Sequence, residues 1–525
     1  MSDQQPHPPM VFGIETEFGV MDAANASANA VALSAQTVAA YAARSGTNPV
    51  MWDYTGEDPL NDARGYRLQR ANAHPSFLTD DPYQLAPSGG VAYGPAPSEY
   101  DRRSYQLTNL VLENGGRLYV DHAHPEYASP ETTSAAQAVL YDRAGDWIAR
   151  QACLQSQTDG SQLALYKNNT DGKGAAYGTH ENYQLPRPVD FDDLVVGATT
   201  FLVTRPIFCG AGRVGLGQRG EGTGFQISQR ADFIENDVGL ETTFNRPIIN
   251  TRDEPHADPR QVRRFHVING DANQFDISTY LRLGTTGLVL RAIAASPDLR
   301  WNALSLDEDP VAVAARVSHD LSLRQRYECK DGKSRTAIDI QLTLSDLVAQ
   351  VLPNLSGDEL AVWERWRGVL ETLATDPESC AREVEWVGKY QLLRRQLSRW
   401  EADWADPRAA AVDLQWADLR QGRSLVDRLD KAGLVERLWS ERQVATAATV
   451  PPADTRARVR GLAVKHQRQL VKASWSSIVV ETTGGTSARI PLPEATDAGS
   501  EQLIAAVTSG DGGAMVEAAS DSLGR

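Results

Sequence analysis

Cysteine is scarce in this 525-residue chain, and its four copies, Cys153, Cys209, Cys329 and Cys380, lie far apart with no CxxC pair. That spacing excludes a zinc cluster or disulfide framework and predicts a reducing, cytoplasmic setting. Positive charge is also short: 52 Lys and Arg stand against 68 Asp and Glu, a net charge of −16. A general nucleic-acid binder needs a basic surface, so no nucleic-acid partner is expected. No apolar run reaches membrane-spanning length, and the opening "MSDQQPHPPM" lacks the basic and apolar regions of a signal peptide. No membrane partner is expected either. A Walker A sequence is missing, because "TDGKGAAYG" lacks the glycine five residues before its Gly-Lys pair. The GxGxxG at Gly215, Gly217 and Gly220 sits between "TFLVTRPIFC" and "TGFQIS", both strand-like, and reads as a hairpin loop rather than a dinucleotide site.

A chain this long exceeds one compact core and predicts two or more domains. The stretch "TVPPADTRARVRG" marks a joint near 450, dividing a unit over 1–445 from a small C-terminal unit over 446–525. Within the first unit, 45–104 is rich in Pro, Gly, Asp and Asn with little periodicity, which predicts a long mobile insertion. Alternation in "VFGIETEFGV" predicts a strand with Phe12, Ile14, Phe18 and Val20 on one face and Glu15 and Glu17 on the other. "FQISQR", "RRFHVIN" and "SWSSIVVE" read as further strands. Helices are predicted over 30–44, near 105–113, over 133–153 and within 378–404, where Val384, Val387, Leu393, Leu397 and Trp400 recur at helical spacing. Several middle strands carry one greasy face and one face of Glu, Arg, His and Asp, which suits a cavity better than a water-facing sheet.

The densest chemistry lies in "RLYVDHAHPEY", residues 117–127. It starts as a strand with Arg117, Tyr119 and Asp121 on one face and is expected to end at Pro125. Glu15, Glu126, His180 and His266 come from four separate segments and could converge on a metal. Carboxylates suit magnesium; imidazole is less usual there and would suggest that a nucleotide's phosphates share the shell. Buried, hydrogen-bonded histidines are the alternative. His122 and His124 have the i, i+2 spacing of a zinc pair, but Pro125 interrupts the alternation, and packing is the other reading.

Five stretches in order, "GIETEFG", "GRLYVDHAHPEY", "YKNNTDGKGAAYGTHENY", "SQRADFIE" and "IINTRDEPHADPRQVRRFHVINGDAN", together resemble the Pup ligase and deamidase family, whose relatives are carboxylate–amine ligases of the glutamine synthetase type. "YVDHAHPEY" and "DGKGAAYG" are similar to the deamidase wording rather than the ligase wording. Residues 48–66, "NPVMWDYTGEDPLNDARGY", resemble a loop of the deamidase type. The resemblance implies an α+β fold, with a glutamine synthetase-like concave antiparallel sheet packed with helices and a small C-terminal domain. It implies ATP and Mg2+ as cofactors. Asp121 would be catalytic, and Glu15, Tyr119, Glu126, His180 and His266 would form the metal site. Gly13, Ile14, Glu15, Thr16, Glu17, Arg117, Ser129, Arg230, Arg264 and Trp475 would meet ATP.

The implied activity is ATP-dependent amide hydrolysis: deamidation of the C-terminal Gln of Pup to Glu, and removal of Pup from lysines of modified proteins. ATP would be required but not consumed in each turnover. Pup, pupylated proteins and a link to the bacterial proteasome and protein degradation are the implied partners and context. A Pup–protein ligase, a small-molecule carboxylate–amine ligase and a non-catalytic Pup-binding protein are the alternatives. Pup is acidic, so a locally basic groove is expected, with the arginines of 256–264 as one source.

Overall fold

The computed structural model describes residues 9–46, 50–73, 78, 90–98, 108–241, 245–297, 299–482 and 485–523. Its strands fall mainly into two sheets. In chain order these strands are β1 (Val11–Glu17), β2 (Met51–Trp52), β3 (Ala92–Pro95), β4 (Asn109–Val111), β5 (Arg117–Asp121), β6 (His124–Ala128), β7 (Thr179–Pro186), β8 (Asn236–Gly239), β9 (Pro247–Asn250), β10 (Val262–Val267), β11 (Leu470–Ala473), β12 (Ser477–Thr482) and β13 (Thr486–Pro491). The large sheet runs β8-β9-β10-β7-β1-β6-β5-β4, antiparallel except for the parallel edge pair β8–β9. This is the α+β class that the sequence predicts.

Alternation decides which side of the large sheet is packed. Phe12 and Ile14, Tyr183 and Leu185, and Phe265 and Val267 share one buried core with Phe201, Leu281 and Leu288 from the helices Phe191–Thr204 and Asp276–Ala295. Their chain neighbours Glu15, His180, Asn182, Arg264 and His266 therefore lie on the opposite face. One acid breaks the pattern. Glu181 sits on the packed side, fully buried, and takes a two-pronged ion pair from Arg205 (2.7 and 2.9 Å) and the Tyr183 hydroxyl (2.6 Å). Burial alone would raise its pKa, but the Arg205 and Arg282 charges outweigh that and hold it below the usual carboxylate value.

Three local readings are corrected. Residues 109–111 form a strand rather than part of a helix, because they pair with β5 at the sheet edge. "TFLVTRPIFC" is helical: Phe191–Thr204 is capped by the Asp190 side chain, carries Asp192 and Asp193 in its first turn, and is followed by the short helix Pro206–Cys209. Its β-branched residues are buried against the sheet, so packing overrides their strand preference. Pro125 lies inside β6. The facing Val120 gives its amide to the Thr108 carbonyl (2.9 Å), so the pair makes no demand for a Pro125 donor. The Gly215–Gly220 stretch joins two antiparallel strands, Arg213–Leu216 and Gly222–Gln226, as a hairpin loop.

The second sheet runs β2-β11-β12-β13-β3. The Pro/Gly-rich stretch thus gives both edge strands to the C-terminal meander, with β2 parallel to β11 and β3 antiparallel to β13. Val50 and Trp52 join the core of Ile478, Val480, Ile490 and Met515. From there the chain crosses to the large sheet: Ala63 donates to Thr251 O (2.8 Å), Asp253 to Asn61 O (2.9 Å), and the Thr251 hydroxyl to Asp62 (2.7 Å). Residues 50–64 are a strap between two sheets; of the insertion expected over 45–104, residues 47–49, 74–77, 79–89 and 99–104 lie outside the described residues.

Asp53 anchors that strap. It is 2% exposed, pairs with Arg489 of β13 and accepts from Ser477. Asp53→Ala leaves Arg489 without its buried partner and is expected to cost about 3 kcal/mol. Thermal melting checks this, and an unchanged melting temperature would show that the strap adds nothing to stability.

Candidate active site

The polar face of the large sheet collects its side chains by register. Glu15 faces His180, Glu17 faces Glu126, and Glu126 faces Tyr119. Two groups result, each with ligand atoms within 4.8 Å of one another: Glu15, His180 and His266, and Glu17, Asp121 and Glu126. The sequence-predicted metal residues are thus divided between neighbouring groups. Glu17, which sequence reasoning placed only at the nucleotide through its backbone, joins the second group with its side chain.

In the first group His180 Nδ1 lies 3.3 Å and His266 Nε2 4.0 Å from the same Glu15 oxygen, while Arg264 approaches the other oxygen at 3.4 Å. Burial opposes ionisation of Glu15, but Arg264, then His180 and His266, overcome it and hold the carboxyl far below its usual value. Burial, then the Arg264 charge, pushes His266 well below the usual imidazole value. Neither ring nitrogen of His266 has a hydrogen-bond partner, although both are buried. A neutral buried imidazole with bare nitrogens beside an ionised carboxylate is a donor set fit for a cation.

The second group is all oxygen. Burial, then repulsion from Asp121, Glu17 and Glu15, pushes Glu126 far above the usual carboxylate value. A cation among these oxygens would reverse that penalty, and an all-carboxylate set suits magnesium. The Gly178 amide donates to Glu17 and orients it. Burial and the neighbouring carboxylates also raise the Tyr119 hydroxyl well above its usual value.

Asp121 stands at the end of β5, opposite His124 across a two-residue turn. The turn places His122 in the left-handed region (φ 51°) and its Nδ1 3.0 Å from Asp121 Oδ1. Burial would raise the Asp121 carboxyl, but the His122 hydrogen bond and charge lower it below its usual value. Its side chain is 40% exposed, in contrast to the buried Glu17 and Glu126. His122 is a partner that sequence reasoning left unassigned; its adjacency to Asp121 was the available signal. His124 stacks on Tyr177 with ring centroids 4.5 Å apart.

Beside the first group lies a cavity of about 100 Å³ between the two sheets. Gly13, Ile14, Glu15, Ser129, Arg264 and Trp475 line it, among the residues expected at the nucleotide. Ser129 Oγ accepts from the Ile14 amide (3.0 Å) and so pins β1. Thr16 is buried and turns its hydroxyl toward Asp142 on the packed side (3.4 Å), leaving only its backbone for a ligand. Arg230 does not line the cavity. It is buried and gives its terminal nitrogens to the Tyr177 and Ile268 carbonyls (2.9 and 3.0 Å). Arg117 lies on the carboxylate side, with its Nε on Asn109 Oδ1 (2.8 Å).

Sequence reasoning missed Glu131, His256 and Arg456 in the cavity wall. Arg456 and Arg460 converge on Glu131 at 2.7 and 2.5 Å. His256, held to about 3 by burial, then by Arg264 and Arg456, is neutral. The quoted motif "RDEPHADPR" contained the signal for His256, but only its arginine partner downstream was used.

A family model described as Pup-ligase protein matches residues 10–479, and the chain belongs to this family. The depupylase of Acidothermus cellulolyticus is 43% identical over 92% of this chain and 93% of its own length. The Pup deamidase/depupylase of Mycolicibacterium smegmatis is 42% identical over 92% of this chain and 94% of its own. The Pup ligase PafA in complex with Pup superposes with a TM-score of 0.75 at 27% identity, covering 96% of this chain and 93% of that one. PafA in complex with ADP gives 0.70 at 33% identity, covering 78% and 92%.

Two outcomes follow from the charges. Burial opposes ionisation of Glu131, but Arg460, then Arg456, hold its carboxyl at about 2. A depressed acid contributes stability that is complete above its unfolded value near 4.5 and lost as pH falls toward 2. Glu131→Gln should therefore be less stable than wild type by about 3 kcal/mol at neutral pH, with the gap closing between pH 4.5 and 2 in denaturant titrations. A gap that stays constant with pH would contradict the ion pair. Conversely, metal-free Glu126→Gln should melt at or above wild type, since it removes a crowded charge. Magnesium should raise the melting temperature of wild type more than that of the variant. Equal magnesium shifts in both proteins would remove Glu126 from the cation site.

Proposed function

We propose that this chain is a Pup deamidase and depupylase: it hydrolyses the side-chain amide of a C-terminal Gln in Pup, and the isopeptide bond joining Pup to a protein lysine. The observation that carries the reading is relatives named depupylase, at 43% identity, and Pup deamidase/depupylase, at 42%, each across 92% of the chain. The site chemistry supports it through Asp121, the exposed acid of a carboxylate group otherwise buried.

Amides are poor electrophiles, so the site must stabilise both an oxyanion and a departing amine. Asp121 has the charge state and access to act in either of two ways. Its carboxylate attacks the amide carbon, the C–N bond breaks, and water resolves the resulting anhydride. Alternatively, it takes a proton from water, whose oxygen forms the new bond to carbon. In both, the oxygen gained comes from water and the amine leaves with an added proton. His122 holds the carboxylate in its ionised form. Glu17, Glu126 and Asp121 would hold one cation, and Glu15, His180 and His266 are fit for another. Bound magnesium would supply positive charge against the developing oxyanion.

The cavity at Gly13–Glu15, Arg264 and Trp475 would take the nucleotide base and sugar, with the phosphates toward the carboxylate face. ADP in the structure of a related ligase supports nucleotide binding by this chain. A nucleotide that completes the cation's shell without being consumed fits hydrolysis, which needs no phosphoryl donor. Pup and pupylated proteins are the substrates in this reading, in the cytoplasm and upstream of a bacterial proteasome. Among the described residues no helix is long and apolar enough to cross a membrane.

Pup ending in Gln, incubated with and without ATP and then weighed, tests the proposal: nucleotide-dependent gain of one mass unit is expected. Accumulation of ADP with a Pup–lysine conjugate would make the chain a ligase instead, and binding without conversion would make it a Pup-binding protein. Asp121→Asn should fold, still bind nucleotide and lose about 10²- to 10⁴-fold or more in cleavage of both bonds. Near-normal turnover by this variant would take Asp121 out of the chemistry.

A further inference from the structure

The Arg117 guanidinium is held between two aromatic rings, 3.9 Å from the Tyr119 ring centroid and 4.0 Å from that of Trp52. Tyr119 belongs to the same strand. Trp52 comes from the strap, 65 residues earlier in the chain, and is the last residue of β2. It is fixed three ways. Its backbone pairs with Ala473, its indole Nε1 donates to Glu57 (2.9 Å), and its ring meets the edge of Trp475 at 5.3 Å and 71°. Trp475 lines the cavity beside β1 and is backed by Arg460, 4.9 Å from its ring. A continuous row, Tyr119–Arg117–Trp52–Trp475–Arg460, therefore joins the carboxylate face to the cavity wall.

The geometry of Arg117 says what such a row is for. Two rings pack on the guanidinium, and Nε is committed to Asn109. Its terminal nitrogens make no hydrogen bond or ion pair among the described residues. What is left is one edge of a planar fork in a fixed plane, the form that grips phosphate or carboxylate oxygens through parallel N–H bonds. An arginine side chain carries about 2 kcal/mol of rotamer entropy, and ordering it in advance spares a ligand that cost.

We propose that Trp52 is a positioning residue for phosphate recognition: it stacks on Arg117 and sets the plane in which that guanidinium meets the phosphates of a nucleotide in the adjoining cavity. The inference rests on the nucleotide-binding part of the function proposed above. It gives the strap a role in the site that neither the carboxylates nor the cavity wall supplies.

The test is a double-mutant cycle read by nucleotide affinity, with a fluorescent ADP analogue and magnesium titrated into the full-length chain, and with melting temperature recorded for each variant. Trp52→Leu should raise the dissociation constant about 5- to 30-fold, the size of a partly desolvated cation–π contact. Trp52→Phe keeps an aromatic face and should recover most of the affinity. In the Arg117→Met background, Trp52→Leu should add less than about twofold, because its effect runs through Arg117. Arg117→Lys preserves the charge but not the stacked plane and removes nothing from the core. It should weaken binding as Trp52→Leu does, and it carries the test if Trp52→Leu fails to fold.

Multiplicative losses in the double mutant would overturn the proposal. So would wild-type affinity in Arg117→Lys, or a fall in melting temperature for Trp52→Leu with affinity unchanged. A wild-type chain that binds no nucleotide at all would instead sink the functional reading on which the inference stands.

Discussion

The ion pairs of Glu131 with Arg456 and Arg460 hold the molecule's two sheets in a fixed relation, and the site depends on that relation. Glu131 follows β6 by three residues, while both arginines belong to the segment that leads into the C-terminal sheet. Arg460 also donates to the carbonyls of Gly115 and Trp475 (both 2.8 Å). Arg456 donates to those of His256 and Leu492 (2.6 and 3.0 Å). Two guanidinium groups thus tie together the β4–β5 turn, the cavity loop, the cavity's Trp475 and the end of β13. A single carboxylate between them offsets their charge in a place with little water, where an unpaired cation would be costly. The cavity exists because these groups fix the C-terminal sheet beside β1.

A second constraint acts within the large sheet. Alternation puts Glu15, Glu17, Asp121 and Glu126 on one face, so acids that are distant in sequence become neighbours. The two resulting groups are electrostatically unlike. Arg264 and the hydrogen-bonded His180 compensate Glu15, which ionises readily. Glu17, Asp121 and Glu126 crowd one another, with His122 placed at the outer member only. The face is therefore graded, from a compensated end at the cavity to an under-compensated end at Asp121, and a cation has most to gain at the latter.

Much of this was legible in the sequence. The period-two pattern of "VFGIETEFGV" separates Glu15 and Glu17 from the core residues without any structural knowledge, and the same holds for Arg264 and His266 in "RRFHVIN". The motifs identified the family and drew attention to Asp121 as the residue to test. What remained hidden had physical reasons. Strand identity at 109–111 is set by a partner, β5, rather than by local preference. "TFLVTRPIFC" has strand propensity and helical packing. Glu181 looks like a polar-face residue, yet its charge is answered by Arg205 and Arg282, which come from elsewhere in the chain. The strap carries too few apolar residues to show a period; Val50 and Trp52 join the core of the C-terminal sheet, and Leu60 is buried apart from them. Pairings between segments hundreds of residues apart leave no mark in either segment.

The sheet that β2 and β3 share with β11, β12 and β13 also bears on how the protein is made. At a synthesis rate of about 5–20 residues per second, the ribosome needs roughly 20–75 s to travel from β3 to β11. During that interval β2 and β3 have emerged without the strands they will flank, and their amide edges are open to other chains. The nascent protein must therefore shield an early segment until its last hundred residues appear. The cavity is withheld by the same arrangement, since Trp475 completes its wall only after β11 has been made. A chain released before β11 would carry Glu15, Glu17, Asp121 and Glu126 and still lack the cavity wall at Trp475.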